Sequence, residues 1–419
     1  MSSRTRMNRS CTGPGRRIHG LFAGLFCGLA GCPGVLVPPG STGEVIDGNR
    51  DESVTSPLGK TSGEPNGSFS DPVAAVFDDE GVARLQGTVA REGDLDVFLL
   101  GALAPGDRVI VTTSTVGSAL DSSVALFDAD GRMVFENDDR EPDDWDSFVD
   151  FIVRHAGEEY YLVVTHAAFA DSRGFTGTYN VDVRVTPGFT VPPPVPQTLV
   201  LDFDGGIVDS PIPGSLSLVP FDAAHIAPLY DGQTETIQHQ IRETVEQNFE
   251  RFAIAVFTTD DPPPEGTVVS LIFFGGFDRG TFGISEDVDL YNPDRCDDAL
   301  IYAESFTPSV FTGAPSAVEL GVAIGNVATH EAGHLLGLNH VSDDRDLMDD
   351  VSPADAFLDD QEFMESPLST DIMAIGTQDG VLLLEETVGP SELLAPRQSG
   401  LVFLPPNQRS RGDGVAGRR

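Results

Sequence analysis

Thr329-His330-Glu331-Ala332-Gly333-His334-Leu335-Leu336-Gly337-Leu338-Asn339-His340 is the stretch whose reading decides the rest of the chain. His330 and His334 are four residues apart, which on an α-helix stacks two imidazoles on one face, one turn from each other. Neutral imidazoles at that spacing can hold one Zn²⁺ at about 2.0–2.1 Å each. Glu331 follows the first His, where it flanks such a cation without ligating it and can take and return a proton. Gly337 then predicts a left-handed turn that ends the helix, since glycine enters that conformation without a Cβ penalty. The reversal brings His340 back as a third ligand and leaves a fourth position open, the mark of a catalytic rather than a structural zinc site. His-Glu-x-x-His alone arises by accident on ordinary helices, but the extended pattern fixes five positions in a chain with only 8 His.

The pattern His-Glu-x-x-His-x-x-Gly-x-x-His resembles that of the metzincin metallopeptidases. That family carries a methionine turn beneath its zinc, and Met348, within Asp346-Leu347-Met348-Asp349, stands where the matrixin branch places it. Asp349-Asp350 follows, where matrixins commonly have Tyr-Pro, so the resemblance departs at that point. Met373 is a rival for the methionine turn, or else a core side chain on a last helix. The resemblance spans about residues 197–390 and implies an α+β catalytic domain that hydrolyses peptide bonds with a zinc-activated water and Glu331 as general base. The element pattern agrees. Strands are expected at Thr198 to Phe203, Ala253 to Phe257, Thr267 to Phe274 and Ala299 to Tyr302. Helices are expected at Gly232 to Phe252 and Ser316 to Leu336, with a last one running from the Ser366-Pro367 N-cap to Ile375. By the resemblance, the strand at Ala299 to Tyr302 edges the cleft and aligns an extended peptide by β-augmentation.

Ahead of that domain, residues 72–186 alternate short apolar runs with turn signals. Val97 to Leu100, Arg108 to Val111, Val124 to Phe127, Phe151 to Val153, Tyr160 to Val164 and Tyr179 to Val183 read as strands of an antiparallel sandwich. Asp94-Leu95-Asp96-Val97-Phe98, Asp128-Ala129-Asp130-Gly131, Asn137-Asp138-Asp139 and Gly177-Thr178-Tyr179 give it a likeness to the bacterial pre-peptidase C-terminal domain, a jelly-roll-like module. The acidic run Asp138 to Asp146 reads either as an oxygen-ligand site for Ca²⁺ or as a solvated loop. Asp128 to Gly131 is too short for an EF-hand and reads as a hairpin turn. Residues 187–196, with Pro192-Pro193-Pro194, form a stiff linker between the two domains.

The ends of the chain read as processing and spacer segments. Residues 1–31 join an Arg-rich start without acids to an apolar run from Ile18 to Ala30, too short for a comfortable membrane span. Leu29-Ala30-Gly31-Cys32 resembles a bacterial lipobox, which implies a lipoprotein signal peptide and lipid on Cys32. Ordinary secretion with cleavage elsewhere is the alternative. Residues 32–71 are a Pro/Gly/Ser/Thr spacer, and 391–419 a disordered tail in which Arg411-Gly412-Asp413 is too short to carry meaning. Loss of residues 1–31 would take three of the four cysteines out of play if Cys32 is lipidated. No intrachain disulfide is then expected for Cys296.

Net charge is −41, which repels nucleic acid and anionic lipid and argues for an exported chain. The expectation is a multidomain, monomeric envelope lipoprotein (outer membrane or cell surface, or released outside the cell). It would act on protein or peptide through Glu331, with His330, His334 and His340 on zinc. The competing class is a catalytically degenerate surface protein that binds peptides or adheres, although a pure binding site needs no general base at Glu331. His166, His225 and His239 lie outside the pattern and read as surface or helix-face residues.

Overall fold

In a computed structural model, the described residues are 60–61, 66–141, 144–168, 174–208, 215–350 and 352–394. Cys32, the signal segment, most of the spacer and the end of the tail lie outside them.

The first half is two facing five-stranded sheets. Its strands are β1 (Lys60–Thr61), β2 (Val73–Ala74), β3 (Val82–Val89), β4 (Asp96–Leu103) and β5 (Arg108–Ser114), followed by β6 (Ser122–Phe127), β7 (Met133–Asn137), β8 (Phe148–Ile152), β9 (Gly157–His166) and β10 (Gly177–Thr186). One sheet has the order β1-β3-β10-β5-β8 and the other β2-β4-β9-β6-β7. Alternation decides which face is inside. Along β10, Tyr179, Val181 and Val183 are buried while Asn180, Asp182 and Arg184 face out. The inward side chains of both sheets, among them Phe98, Val111, Leu126, Leu162 and Val181, make one core. Asp128 accepts from the backbone N–H groups of Asp130 and Arg132, and this shapes the expected β6–β7 hairpin turn. In the acidic run, Arg140 pairs with Asp144, and Asp146 accepts from the Thr115 backbone and hydroxyl.

The second half is a mixed sheet with helices packed on one face. Its strands are β11 (Gln197–Asp202), β12 (Gly206–Val208), β13 (Leu216–Leu218), β14 (Ile254–Thr258), β15 (Ser270–Phe274), β16 (Gly283–Ser285) and β17 (Asp298–Ile301). The main sheet runs β14-β11-β15-β17-β16, all parallel except the edge strand β16. The strand at 299–302 is therefore an inner one. The cleft-side edge belongs to β16, three residues containing a glycine and too short to signal itself. Helices α1 (Ala223–Ile226), α2 (Thr234–Asn248) and α3 (Ala317–His334) cover the sheet. Ile237, Ile241 and Val245 of α2 are buried in the same core as Leu320, Ile324 and Val327 of α3. Gly321 and Gly325 let these two helices close up, since a Cβ there would lie 2.5 Å from the Gln240 Cβ and 2.7 Å from the Thr244 Cβ.

The helix expected from Ser366 to Ile375 does not form. Glu365–Pro367 is a strand, β18, antiparallel to β19 (Thr377–Asp379), and the last α-helix, α4, spans Gly380–Thr387. Tertiary partners override the local capping signal. The Ser366 hydroxyl donates to Asp346 instead of capping a helix. Leu368, Ile372 and Met373 pack with Val97, Phe127, Met133 and Tyr161 on the outer face of a sandwich sheet. The two halves thus share an apolar contact, with Thr377 N–H donating to the Gly131 carbonyl at 3.0 Å and Arg132 paired to Glu365 at 3.2 Å.

The expectation for Cys296 is overturned, because this residue is disulfide-bonded. The other three cysteines, Cys11, Cys27 and Cys32, lie outside the described residues.

Candidate metal centre

Helix α3 starts at a capping box. The Ser316 hydroxyl accepts from Glu319 N–H, and the Glu319 carboxylate accepts from Ser316 N–H at 2.7 Å. Its last turns, from Leu320 on, are almost wholly apolar or small, so they sink into the core and carry His330, Glu331 and His334 with them. The helix ends at His334. The chain then reverses through Gly337 at φ 94°, a left-handed value that disfavours any side chain. A Cβ there would also lie 2.5 Å from the Leu290 Cα, so the glycine is required twice. His340 follows, and the backbone of its neighbour Asn339 is gripped from both sides by the Gln378 side chain at 2.7 and 2.8 Å.

The three imidazoles meet. His334 Nε2 lies 3.0 Å from His330 Nε2 and 3.1 Å from His340 Nε2. Their far nitrogens fix the tautomers. His330 Nδ1 lies 2.7 Å from the Leu347 carbonyl and His334 Nδ1 2.7 Å from the Leu338 carbonyl. A carbonyl oxygen only accepts, so each Nδ1 carries the proton and each Nε2 presents a bare lone pair. His340 Nδ1 faces the Asp350 carboxylate at 3.5 Å, which orients the third ring in the same sense. Three acceptors pointing into one buried space repel one another unless a cation sits among them. About 2.0–2.1 Å to each donor at tetrahedral angles corresponds to donors about 3.3 Å apart, close to the separations here. The donor set therefore fits zinc, and among the described residues it is the one cluster of three or more His, Cys, Asp or Glu side chains whose donor atoms converge closely enough to hold a metal. Burial drives the imidazoles the same way. It lowers the His330 pKa to about 4, and burial together with the neighbouring rings holds His334 and His340 well below their usual range, so all three are neutral.

Glu331 is fully buried, and neither of its carboxylate oxygens has a protein partner. It lies against β16, where a Cβ on Gly283 would fall 2.4 Å from Glu331 Oε1. Burial pushes its carboxyl well above the usual range. Met348 is fully buried under the helix end, its sulfur 2.6 Å from where a Gly333 Cβ would stand. Met373, the rival, is buried against the sandwich sheet instead. Of the remaining histidines, His225 and His239 are exposed beside Glu304 and Glu243, and His166 accepts from Gly93 N–H.

The sequence did not single out the groups that aim the ligands. Leu347 and Leu338 act through carbonyls, which no side-chain pattern reports. Asp350 could have been noticed as the departure from Tyr-Pro, since it stands where the third imidazole needs an acceptor. The Ser369 hydroxyl donates to it at 3.0 Å, and burial raises its pKa to about 6. Asp350→Asn keeps the shape and removes the acceptor charge. It is expected to weaken zinc binding by about 10–100-fold, read by competition with a chromophoric chelator. Unchanged affinity would show that Asp350 does not orient His340.

Residues 226–363 match the matrixin family model, so this segment is matrixin-like, and the match supports a zinc metallopeptidase. Among solved structures, the chain is similar to archaemetzincin from Methanopyrus kandleri at 14% identity, over 46% of this chain and 95% of that one, with a TM-score of 0.25. It is also similar to metalloproteinase-II from Bacteroides fragilis, at 12% identity over 50% of this chain and 62% of that one, TM-score 0.25. The pre-peptidase C-terminal domain of a collagenase from Bacillus anthracis matches at 14% identity over 30% of this chain and 99% of its own length, TM-score 0.21. No curated protein matches the chain.

Proposed function

We propose that this chain is a zinc-dependent endopeptidase with His330, His334 and His340 as metal ligands and Glu331 as general base. One observation carries the proposal: three neutral imidazoles aim bare lone pairs at a single point, next to a carboxylate without a protein partner. When bound, zinc supplies Lewis acidity, which acidifies water and polarises a carbonyl. The chain's own residues do the rest. Leu347, Leu338 and Asp350 hold the rings in the ligating tautomer. Glu331 takes a proton from the attacking water at one carboxylate oxygen and returns it to the leaving amine. That role needs an ionised carboxylate, and the field of a nearby dication opposes the upward pull of burial. The edge of β16, lying against Glu331, is the backbone along which an extended peptide would align as an added strand. Incubation of the zinc-loaded protein with casein, with and without a chelator, tests the reading. Internal cleavage abolished by the chelator and restored by zinc is expected, and intact casein in every arm would end it.

Export and a lipid anchor at Cys32 belong to the same proposal, supported by the Arg-rich start, the apolar run and Gly31-Cys32. The Cys296 disulfide belongs to the full 419-residue chain, and in a chain matured at Cys32 no free thiol would remain to form it. Cleavage ahead of Cys32 removes Cys11 and Cys27, and a thioether occupies the remaining sulfur. Non-reducing mass spectrometry of the envelope-extracted protein decides. An acylated N-terminal Cys32 peptide is expected, whereas a disulfide-linked Cys296 peptide without acylation would remove the anchor.

A further inference from the structure

The segment from Asp289 to Asn292 joins the sandwich to the metal-binding turn. Tyr291 and Asn292 stand at φ 63° and 52°, two consecutive left-handed residues of which neither is glycine. For a bulky residue such as Tyr this is an outlier that persists only where the surroundings impose it. Sandwich residues supply most of the constraint. The Tyr291 ring stacks on Phe151 at 5.9 Å between centroids, and its hydroxyl donates to the Val134 carbonyl at 3.0 Å. The Arg154 guanidinium lies over its face at 4.2 Å. Tyr291 is packed against the cores of both halves.

Its backbone ends at the turn between the second and third imidazoles. Asp289 N–H donates to the carbonyl of His334 at 3.0 Å, the same oxygen that accepts from Gly337 N–H at 2.8 Å. The Leu290 Cα and Tyr291 N press on Gly337, 2.5 and 2.9 Å from where a Cβ would be. On its other side, the turn carrying His340 is tied by Ser369 N–H to the His340 carbonyl, in the segment whose Leu368, Ile372 and Met373 pack on the sandwich. The turn between the second and third imidazoles is therefore braced from two directions by residues anchored in the sandwich.

We propose that Tyr291 is a positioning residue: its ring, held by the sandwich, sets the 289–292 segment against Gly337 and so fixes His334 and His340 in register for zinc. The assignment rests on the zinc reading above and gives the sandwich a role at the centre, although among the described residues none of its side chains bonds to or stacks on the imidazoles. The test measures zinc release from the full-length protein to a chromophoric chelator, and the visible spectrum after cobalt replaces zinc. Tyr291→Ala is expected to release zinc about tenfold faster or more, as for other groups that orient ligands, and to alter the cobalt bands. Tyr291→Phe keeps the ring and is expected to stay near the wild type in both. Circular dichroism shows whether each variant is folded. If Tyr291→Ala is not, Arg154→Met, which removes the cation over the ring together with its hydrogen bonds to the Pro192 and Glu386 carbonyls, is expected to shift release in the same direction. Release and spectrum unchanged in Tyr291→Ala overturn the proposal, as does equal acceleration in Tyr291→Phe, or an unchanged Arg154→Met where that variant is needed. A wild type that takes up no zinc overturns the functional reading instead.

Discussion

Glu331→Gln is expected to keep its zinc and lose turnover by about 10²–10⁴-fold, the usual contribution of a positioned acid or base. The amide has the same shape but cannot take a proton. Neither carboxylate oxygen has a protein partner, so the change breaks no hydrogen bond of the fold. Metal content by atomic absorption should equal that of the wild type, and KM for a peptide should move far less than kcat. A variant with near-full activity would end the assignment. Stability supplies a second readout in metal-free protein. Burial raises the folded pKa of Glu331 well above its unfolded value of about 4.5. The folded state therefore binds the proton more tightly. The associated stability is fully present below that unfolded value and is lost as pH rises toward the folded pKa. The amide escapes this loss. Metal-free Glu331→Gln should melt above metal-free wild type at pH 8, and the gap should shrink toward pH 4. A constant gap across that range would show that Glu331 is not the group paying for its burial.

The part of this centre legible in the sequence is the part that is local. Two histidines four apart on one helix face, a glycine required by a left-handed turn and a third histidine just beyond it are fixed by helix geometry and backbone sterics. The alternating strands of the sandwich are legible for the same reason, because a period of two is written into β10 residue by residue. What was not legible depends on partners far along the chain. Ser366-Pro367 carries a true capping signal, yet Asp346 takes the hydroxyl and the sandwich takes Leu368, Ile372 and Met373, so a strand and a turn form instead. Strand β16 is three residues long and gains its place by pairing with β17 and packing against Glu331 of α3. Tyr291 gives no hint of its left-handed backbone, which exists because a ring in one half and a glycine in the other must both be satisfied. The disulfide at Cys296 is likewise not legible, because no spacing pattern says which thiol of the full chain it meets.

His340→Ala is expected to lower zinc affinity by more than the 10–100-fold typical of residues that merely orient a ligand. His330 and His334 sit on one helix and keep their spacing whatever follows Gly337, so they remain as a two-ligand site. The third lone pair, 3.1 Å from His334 Nε2, is then gone, and with it the tetrahedral face that distinguishes zinc from a loosely held cation. The loss also uncovers Asp350. Its carboxylate faces His340 Nδ1, its other oxygen has no protein partner, and burial already raises its pKa to about 6. Without the imidazole this carboxyl borders a cavity, and its pKa should rise further. The measurement is zinc retained after dialysis against a weak chelator, with His239→Ala as control, since that ring is exposed on α2 beside Glu243. Zinc lost from His340→Ala but kept by His239→Ala is expected. Full retention by both would remove His340 from the ligand set and would leave two imidazoles on a helix, a pattern that chance produces without any metal.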